Sequence, residues 1–324
     1  MKDRRQFSTC LLAGLMSPLA APLARAQSYP SRPVRILVGY TAGGVSDILA
    51  RLIGQWLSGR LGQPFVVENR PGAASNIATD AVAHAPADGY TLLLAGISNA
   101  INVAVYENVN FDFIRDLAPV AMISRSPLVM EVNRAVPATT VPEFIAYAKA
   151  NPGAINMSSA GTGGATHVAG ELFAMMAGIK MSHVPYHGAP PALADLLAGR
   201  VQIMFDNMAS SVELIKAGRL RALAVTTTAR SEALPDLPPI AEFLPDYEAD
   251  VWNGIVAPRN TPPDVVAKLN REINAALADA KFTADLAKLG NVPAPGSPAD
   301  FQKVIADDTE KWTKVVRFIG LKPS

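Results

Sequence analysis

Val34-Arg35-Ile36-Leu37-Val38-Gly39-Tyr40-Thr41-Ala42-Gly43-Gly44-Val45-Ser46-Asp47 reads as an apolar strand, a glycine-containing loop and the first turn of a helix. The residues that follow agree: Ile48, Leu49, Leu52, Ile53, Trp56 and Leu57 recur at helical spacing, and Gly62 stands where a helix C-terminus would stop. Phe65-Val66-Val67-Glu68 reads as a second strand and Asn69-Arg70-Pro71-Gly72 as a turn. A short alanine-rich helix, an Asp88-Gly89 turn and a third strand, Thr91-Leu92-Leu93-Leu94-Ala95, complete the unit. Strand, helix, strand, helix, strand is the α/β pattern, and it predicts one small doubly wound lobe.

The pattern restarts near Val120. Ala121-Met122-Ile123 and Leu128-Val129-Met130-Glu131-Val132 read as one long extended segment or two short ones. Residues 141–149 form a helical stretch with Thr140 as its cap and Pro142 at a tolerated early position. Ile155-Asn156-Met157-Ser158 then leads into a second glycine loop, Ser159-Ala160-Gly161-Thr162-Gly163-Gly164-Ala165-Thr166, which again opens a helix. Residues 201–205 and 221–225 read as further strands and 234–245 as a proline-rich connection. Two long amphipathic helices, 263–289 with a break and 298–318, finish the chain. The length exceeds that of one compact domain, so two lobes are expected, 27–124 with 250–324 and 125–249.

The paired loops carry the chemistry. A helix N-terminus presents unpaired N–H groups and about half a positive charge, so it attracts anions. Two such ends facing one cleft can grip a carboxylate from both sides. Neither loop contains a lysine or arginine, which argues against a multiply charged phosphate and for a carboxylate held by neutral donors. Neither matches a nucleotide fingerprint: Thr166 stands where a third glycine belongs, and no Gly-Lys-Ser/Thr follows. Asp47 reads either as a helix cap or as a ligand contact.

Residues 1–26 read as a cleavable export signal. Lys2, Arg4 and Arg5 precede an apolar stretch from Cys10 to Leu19, and Ala24-Arg25-Ala26 supplies the small-x-small cleavage pattern. The stretch is shorter than the roughly 20 apolar residues of a spanning helix. A mature chain starting at Gln27 and acting in the periplasm is expected. Arg4-Arg5-Gln6-Phe7 also fits a twin-arginine core, so the Tat and Sec routes both stand open. Cleavage removes Cys10, the only cysteine, together with four of the 29 basic and one of the 28 acidic residues. The resulting net charge of about −2 gives no reason to expect nucleic acid or an anionic membrane surface as partner.

Other chemistries fit poorly. His183 and His187 are four apart with Pro185 between them, so they share no helix face, and a zinc site lacks further ligands. His167 opens the helix after the second loop, where it reads as a cleft residue or as a partly exposed helix residue. No Gly-x-Ser-x-Gly elbow is present, and the carboxylates show no paired acid/base spacing. No cofactor is expected. Trp252 reads as an aromatic wall for a ligand or as packing at the lobe junction.

Several strings together resemble one family. Thr41-Ala42-Gly43-Gly44-(x2)-Asp47-Ile48-Leu49-Ala50-Arg51, Val67-Glu68-Asn69-Arg70-Pro71-Gly72-Ala73 and Pro86-Ala87-Asp88-Gly89-Tyr90-Thr91-Leu92-Leu93 are three of them. Ser159-Ala160-Gly161-Thr162-Gly163, His183-Val184-Pro185-Tyr186-His187-Gly188 and Trp252-Asn253-Gly254-Ile255-Val256-Ala257-Pro258 extend the match over essentially the whole mature chain. They are similar to the Bug family, the extracytoplasmic solute receptors of tripartite tricarboxylate transporters. The resemblance implies a two-lobed periplasmic binding protein, type II-like, with a doubly wound sheet and flanking helices in each lobe. It implies hinge closure on a small carboxylate and delivery to the large and small membrane subunits of such a transporter.

Carried over residue by residue, the resemblance points to Thr41, Ala42, Gly43, Gly44 and Ser46, and to Ser159, Gly161, Thr162, Gly163 and Thr166. Ser98, Asn99 and Asn102 match the cleft loop after the third strand. Asp206 matches an acidic position able to accept a ligand amine or hydroxyl. Gly39-Tyr40-Thr41 departs from the family's usual Pro-Phe pair, which alters the cleft wall at Tyr40 and leaves the carboxylate unidentified: a dicarboxylate, tricarboxylate, aromatic acid or amino acid suits the loops. The expectation is therefore a monomeric binding protein. A periplasmic hydrolase on the same scaffold, or a ligand-loaded sensor for a signalling kinase, are the alternatives.

Overall fold

A computed structural model describes residues 29–106, 108–186, 188–231 and 233–321. The expected export signal lies outside them. The first elements are β1 (Val34–Val38), α1 (Val45–Leu61), β2 (Phe65–Asn69), α2 (Asn76–Ala83), β3 (Thr91–Gly96) and α3 (Ile97–Val105). A 16-residue strand, β4 (Leu117–Val132), leads to α4 (Val141–Ala150), β5 (Asn156–Ser159), α5 (Ala165–Ala177), β6 (Ser182–Pro185) and α6 (Ala189–Leu197). The chain continues through β7 (Ile203–Asn207), α7 (Met208–Lys216), β8 (Arg221–Val225) and β9 (Asp250–Pro258). It closes with α8 (Pro263–Leu277), α9 (Ala280–Lys288), β10 (Val292–Pro293) and α10 (Pro298–Ile319).

Two sheets are built around one shared strand. In the first, β1 lies parallel to β2 and β3, β9 runs antiparallel to β3, and the N-terminal part of β4 runs antiparallel to β9. In the second, the last five residues of β4 pair with β7 and β8, and β7, β5 and β6 are parallel. Pro127 pairs with Asp250 in one sheet and Leu128 with Asn207 in the next, so β4 changes sheets between adjacent residues. The extended stretch around 121–132 is thus a single strand. Register shifts after Pro119 and Met122 let it bend, as bulges do. Each sheet is mixed instead of purely parallel, because β4 and β9 run against their neighbours to make the crossing.

Local signals in the sequence explain the helix ends. Gly62 takes φ 71° and closes α1 with its N–H on the Ser58 carbonyl. Thr140 accepts the Glu143 N–H at the start of α4, and Ser297 with Asp300 forms a reciprocal capping box on α10. The strand expected at 201–205 runs two residues later, which sets Asp206 in the ladder opposite Val129.

Apolar packing ties the halves together. Trp252 is fully buried, meets the Phe301 ring edge-on at 5.3 Å, and donates to Asp308 Oδ2 at 2.6 Å. Its role is packing, and it forms no wall of a ligand cavity. α10 lies against α3 and β4 on one side and α5 on the other, so the C-terminal helix touches elements of both sheets. Beside the crossing strands, Arg125 pairs with Asp250 at 2.7 Å, and the Thr226 hydroxyl bonds both backbone groups of Leu128. Among the described residues, no helix is long and apolar enough to cross a membrane.

Candidate functional site

The two glycine loops leave β1 and β5 at equivalent points and adopt the same backbone. Gly43 and Gly163 take φ 85° and 75°, values that favour glycine. Gly44 and Gly164, which cap α1 and α5, have φ/ψ of −77°/168° and −76°/166°. In α1 the first N–H to bond within the helix is that of Ile48, to the Gly44 carbonyl. The N–H groups of Val45 and Ser46, and of Ala165 and Thr166 in α5, find no acceptor among the described residues. These are the orphan donors of two helix N-termini, available to an anion.

Each loop is braced from within its own helix, four residues on. The Gly43 N–H donates to Asp47 Oδ2 at 2.9 Å. Asp47 is buried and also accepts from Arg51 Nε at 3.0 Å and from Asn69 Nδ2 at 3.0 Å, while Asn69 reaches the Tyr40 carbonyl. The Arg51 guanidinium is the main reason the Asp47 carboxyl is held down at about 2. Asp47 is therefore neither a simple N-cap nor turned toward a ligand; its carboxylate is engaged by the loop, Arg51 and Asn69.

The second loop uses an imidazole instead. The Gly163 N–H donates to His167 Nδ1 at 3.0 Å, which requires that nitrogen to be unprotonated and leaves Nε2 facing Glu171 at 3.5 Å. His167 is buried, so the reading of a partly exposed helix residue does not hold. Its ring stacks on His183 at a centroid distance of 3.6 Å and an angle of 12°. Burial, then the neighbouring His167, push His183 down to about 4. Thr166 accepts the Ala160 N–H, and Ser159 Oγ accepts the Gly161 N–H.

Ser159 Oγ also lies 2.7 Å from His183 Nε2, the spacing of a nucleophile and its base. The serine is completely buried, however, so the contact fastens the loop to β6 and offers no face to a substrate.

The structure gathers part of the expected site around a cavity of about 140 Å³. Gly161, Thr162, Gly163 and Gly164 form one wall, and Tyr40, Ser98 and Asn102 form the other. Burial raises the Tyr40 phenol, an effect that the nearby Ser98 opposes. Asn102 is fixed by donating to the Ala74 carbonyl and to Asn76 Oδ1. Thr41, Ala42, Gly43 and Gly44 are exposed at the rim and Ser46 is half-buried, so the first loop stands open to solvent beside the cavity.

Other expected residues lie elsewhere. Asn99 is buried, accepts the Gly96 N–H and donates to Thr79; it borders a neighbouring cavity of about 200 Å³, shared with Asn102 and Tyr106. Asp206 is wholly buried and shares the Ser211 hydroxyl with Glu131, so it has no open face for a ligand in this conformation. One hydroxyl proton cannot serve two carboxylates, so one of the pair must itself be protonated. Burial and the nearby Asp206 raise Glu131 well above the usual carboxylate range, and burial raises Asp206 to about 6. The neutral acid is Glu131.

Outside the loops, four wall residues were not legible in advance: Ala74, Val105, Tyr106 and Leu321. Tyr106, four positions beyond Asn102, could have been found by helical spacing, and Val105 beside it less easily. Leu321, just past α10, carries no sequence signal; it reaches the cavity because α10 ends there and the Leu321 N–H bonds the Val316 carbonyl. A larger hollow of about 410 Å³ between α1 and α9 lies away from both loops. Among the described residues no group of three metal-binding side chains occurs.

A family profile described as "Tripartite tricarboxylate transporter family receptor" matches residues 49–321. Protein BugT of Bordetella pertussis (strain Tohama I) is 37% identical over 307 residues, covering 94% of each chain. Among solved structures, R. palustris Rpa4515 with adipate superposes with a TM-score of 0.78 at 39% identity, covering 91% of this chain and 99% of that one. MatC from Rhodopseudomonas palustris with bound malate gives 0.75 at 29% identity, covering 89% and 100%.

Proposed function

The chain belongs to the tripartite tricarboxylate transporter receptor family, a family of periplasmic solute-binding receptors, and on that premise we propose that it captures a small carboxylate between its two lobes. The observation that carries this reading is the matched pair of loops. Gly43-Gly44 and Gly163-Gly164 share one backbone conformation and leave helix N–H groups unpaired, a neutral clamp for a carboxylate. Thr41, Ala42 and Ser46 belong to this clamp on one side and Gly161 and Thr162 on the other, with Tyr40, Ser98 and Asn102 contacting the rest of the ligand. Ser159, Thr166 and Asp47 hold the loops in shape.

The proposed lobes are 27–124 with 250–324, and 125–249. The passage of β4 from sheet to sheet at Pro127 and Leu128, and the start of β9 at Asp250, support these boundaries. The ligand binds the closed arrangement better than the open one and so shifts the population toward closure. The first loop, exposed here, would be covered by that motion. The loaded receptor then docks on the membrane subunits of its transporter. Export by a signal cleaved after Ala26 delivers the chain to the periplasm as a monomer.

A thermal-shift screen of residues 27–324 against a carboxylate library tests the central claim. A true ligand at 100 times its Kd adds about 2.7 kcal/mol of stability. A library in which no carboxylate moves the melting temperature would refute the clamp.

A further inference from the structure

Four described residues other than glycine take a positive φ, and three of them are consecutive. Ala73, Ala74 and Ser75 stand at 44°, 50° and 81°, after Gly72 at 135°. L residues avoid this region because Cβ crowds a carbonyl oxygen, whereas glycine occupies it freely. A segment that only joined β2 to α2 would gain nothing from three such residues in a row. Strain of this kind persists where the surroundings impose it, and it gathers at positions whose geometry is used.

The side chains of Ala73 and Ala74 are exposed, so their own packing does not impose the turn. Ser75 differs from them: it is completely buried, seated over Gly39 just past β1. A Cβ built on Gly39 would collide with Oγ, Cβ and Cα of Ser75, so the serine fills the space that a side chain at 39 would need. Its hydroxyl has no hydrogen-bond partner among the described residues, which means that Ser75 acts here through its bulk. Hydrogen bonds close the turn on both sides. The Ser75 N–H donates to the Gly72 carbonyl at 3.0 Å, and the Ser75 carbonyl accepts the Thr79 hydroxyl at 2.9 Å.

What the turn delivers is the Ala74 carbonyl. It accepts one N–H of Asn102 Nδ2 at 2.7 Å, and Asn76 Oδ1 accepts from the same nitrogen at 2.9 Å. Both amide protons are thereby spent on residues 74–76, which leaves Oδ1 as the end of the amide for the cavity that Asn102 and Ala74 border. From these contacts we propose that Ser75 is a positioning residue of the carboxylate site. Wedged against Gly39, it holds the left-handed turn that aims Asn102. This role rests on the proposed carboxylate clamp, yet Ser75 itself lies too deep to touch a ligand.

Succinate, citrate, benzoate and glutamate, one probe for each class of acid that suits the loops, are titrated calorimetrically into residues 27–324. In Ser75→Gly the turn loses its wedge, while glycine accepts φ 81° without strain. Affinity for the probe that binds the parent should fall about tenfold, with the melting temperature no lower than the parent's. Ser75→Ala keeps Cβ and gives up only an unpaired hydroxyl, so its affinity should stay within about threefold of the parent. Three results overturn the role of Ser75 and leave the clamp intact: unchanged affinity in Ser75→Gly, a joint loss of affinity and stability there, or an alanine variant as weak as the glycine one. Where the parent binds none of the four probes, the tightest member of the thermal-shift library takes their place. A library with no hit overturns both the clamp and the role of Ser75.

Discussion

The two glycine loops are alike in backbone and unlike in what supports them. Gly43 and Gly163 differ by only ten degrees in φ, and the capping glycines by less. Each loop N–H is taken by the side chain four residues on. On the first loop that side chain is a carboxylate kept ionised by Arg51; on the second it is an imidazole that must keep one nitrogen bare and that stacks on a second imidazole. What a small anion requires is the position of the free N–H groups. The brace has to supply an acceptor and rigidity, and its charge can vary. A negative brace near an anion site is tolerable because Arg51 cancels it, and a neutral brace is tolerable while it stays neutral.

The strongest way to break the comparison is to remove what the loops share. Gly43→Val and Gly163→Val place a branched side chain at positive φ, which costs about 1–2 kcal/mol. The built Cβ at Gly43 meets nothing within 4 Å, and that at Gly163 meets only Leu321 at 3.7 Å, so both variants should fold. The added side chain instead fills the approach to the anion. Each should weaken ligand binding at least 100-fold by calorimetry, with circular dichroism unchanged. A large loss at one loop with little at the other would show that only one lobe grips the carboxylate.

Next comes the brace. Asp47→Ala leaves the Gly43 N–H without its acceptor and removes one acceptor each from Asn69 and Arg51, at a cost of about 1–3 kcal/mol in stability, and should weaken binding about tenfold. Asp47→Asn keeps an acceptor for Gly43 while removing the charge. If the brace needs only an acceptor, affinity should stay within about threefold of the parent. An Asn variant as weak as the Ala variant would mean that the ion pair with Arg51 sets the loop.

Much of this comparison was legible in the sequence. The strand, the glycine pair and the helix spacing after each loop were all local signals, so the loops and their helices could be located, as could the caps at Gly62 and Thr140. The braces were not. Asp47 looks like a cap or a contact until Asn69 and Arg51 are seen around it. The His167–His183 stack joins α5 to β6 through a parallel strand pairing that no short-range pattern specifies. The family resemblance alone pointed Asp206, at the end of the strand expected over 201–205, to the cleft. The two-residue shift of β7 and the burial of that face put it beside Glu131 and Ser211 instead. Leu321 escaped because its position follows from where a 22-residue helix ends, which is a property of the packed molecule.

Acid should separate the loops by pH alone. Asp47 titrates at about 2 in the folded chain, below its ordinary 3.8, so the first brace adds stability above pH 3.8 and loses it only as pH falls toward 2. His183 titrates at about 4, below the ordinary 6.5. Its contribution is complete above pH 6.5 and is lost as pH falls to about 4, because the unfolded chain takes up the proton first. Between pH 6.5 and 4, then, the melting temperature should fall through the second loop while the first is silent. His183→Phe, which keeps an aromatic face for His167, should flatten that slope; an unaltered slope would place its origin elsewhere. Two groups of the same lobe, Glu131 and Asp206, work in the opposite direction, because burial raises both carboxyls. Glu131 is raised, so it costs stability as pH climbs above its ordinary 4.5 and the unfolded chain ionises. Glu131→Gln removes the ionisation while keeping a partner for Ser211. It should raise the melting temperature at pH 7.5 by roughly 2 °C, on the scale of about 1 kcal/mol, and leave it nearly unchanged at pH 4. A gain of the same size at both pH values would trace the effect to packing and would remove Glu131 from the account of the pH slope.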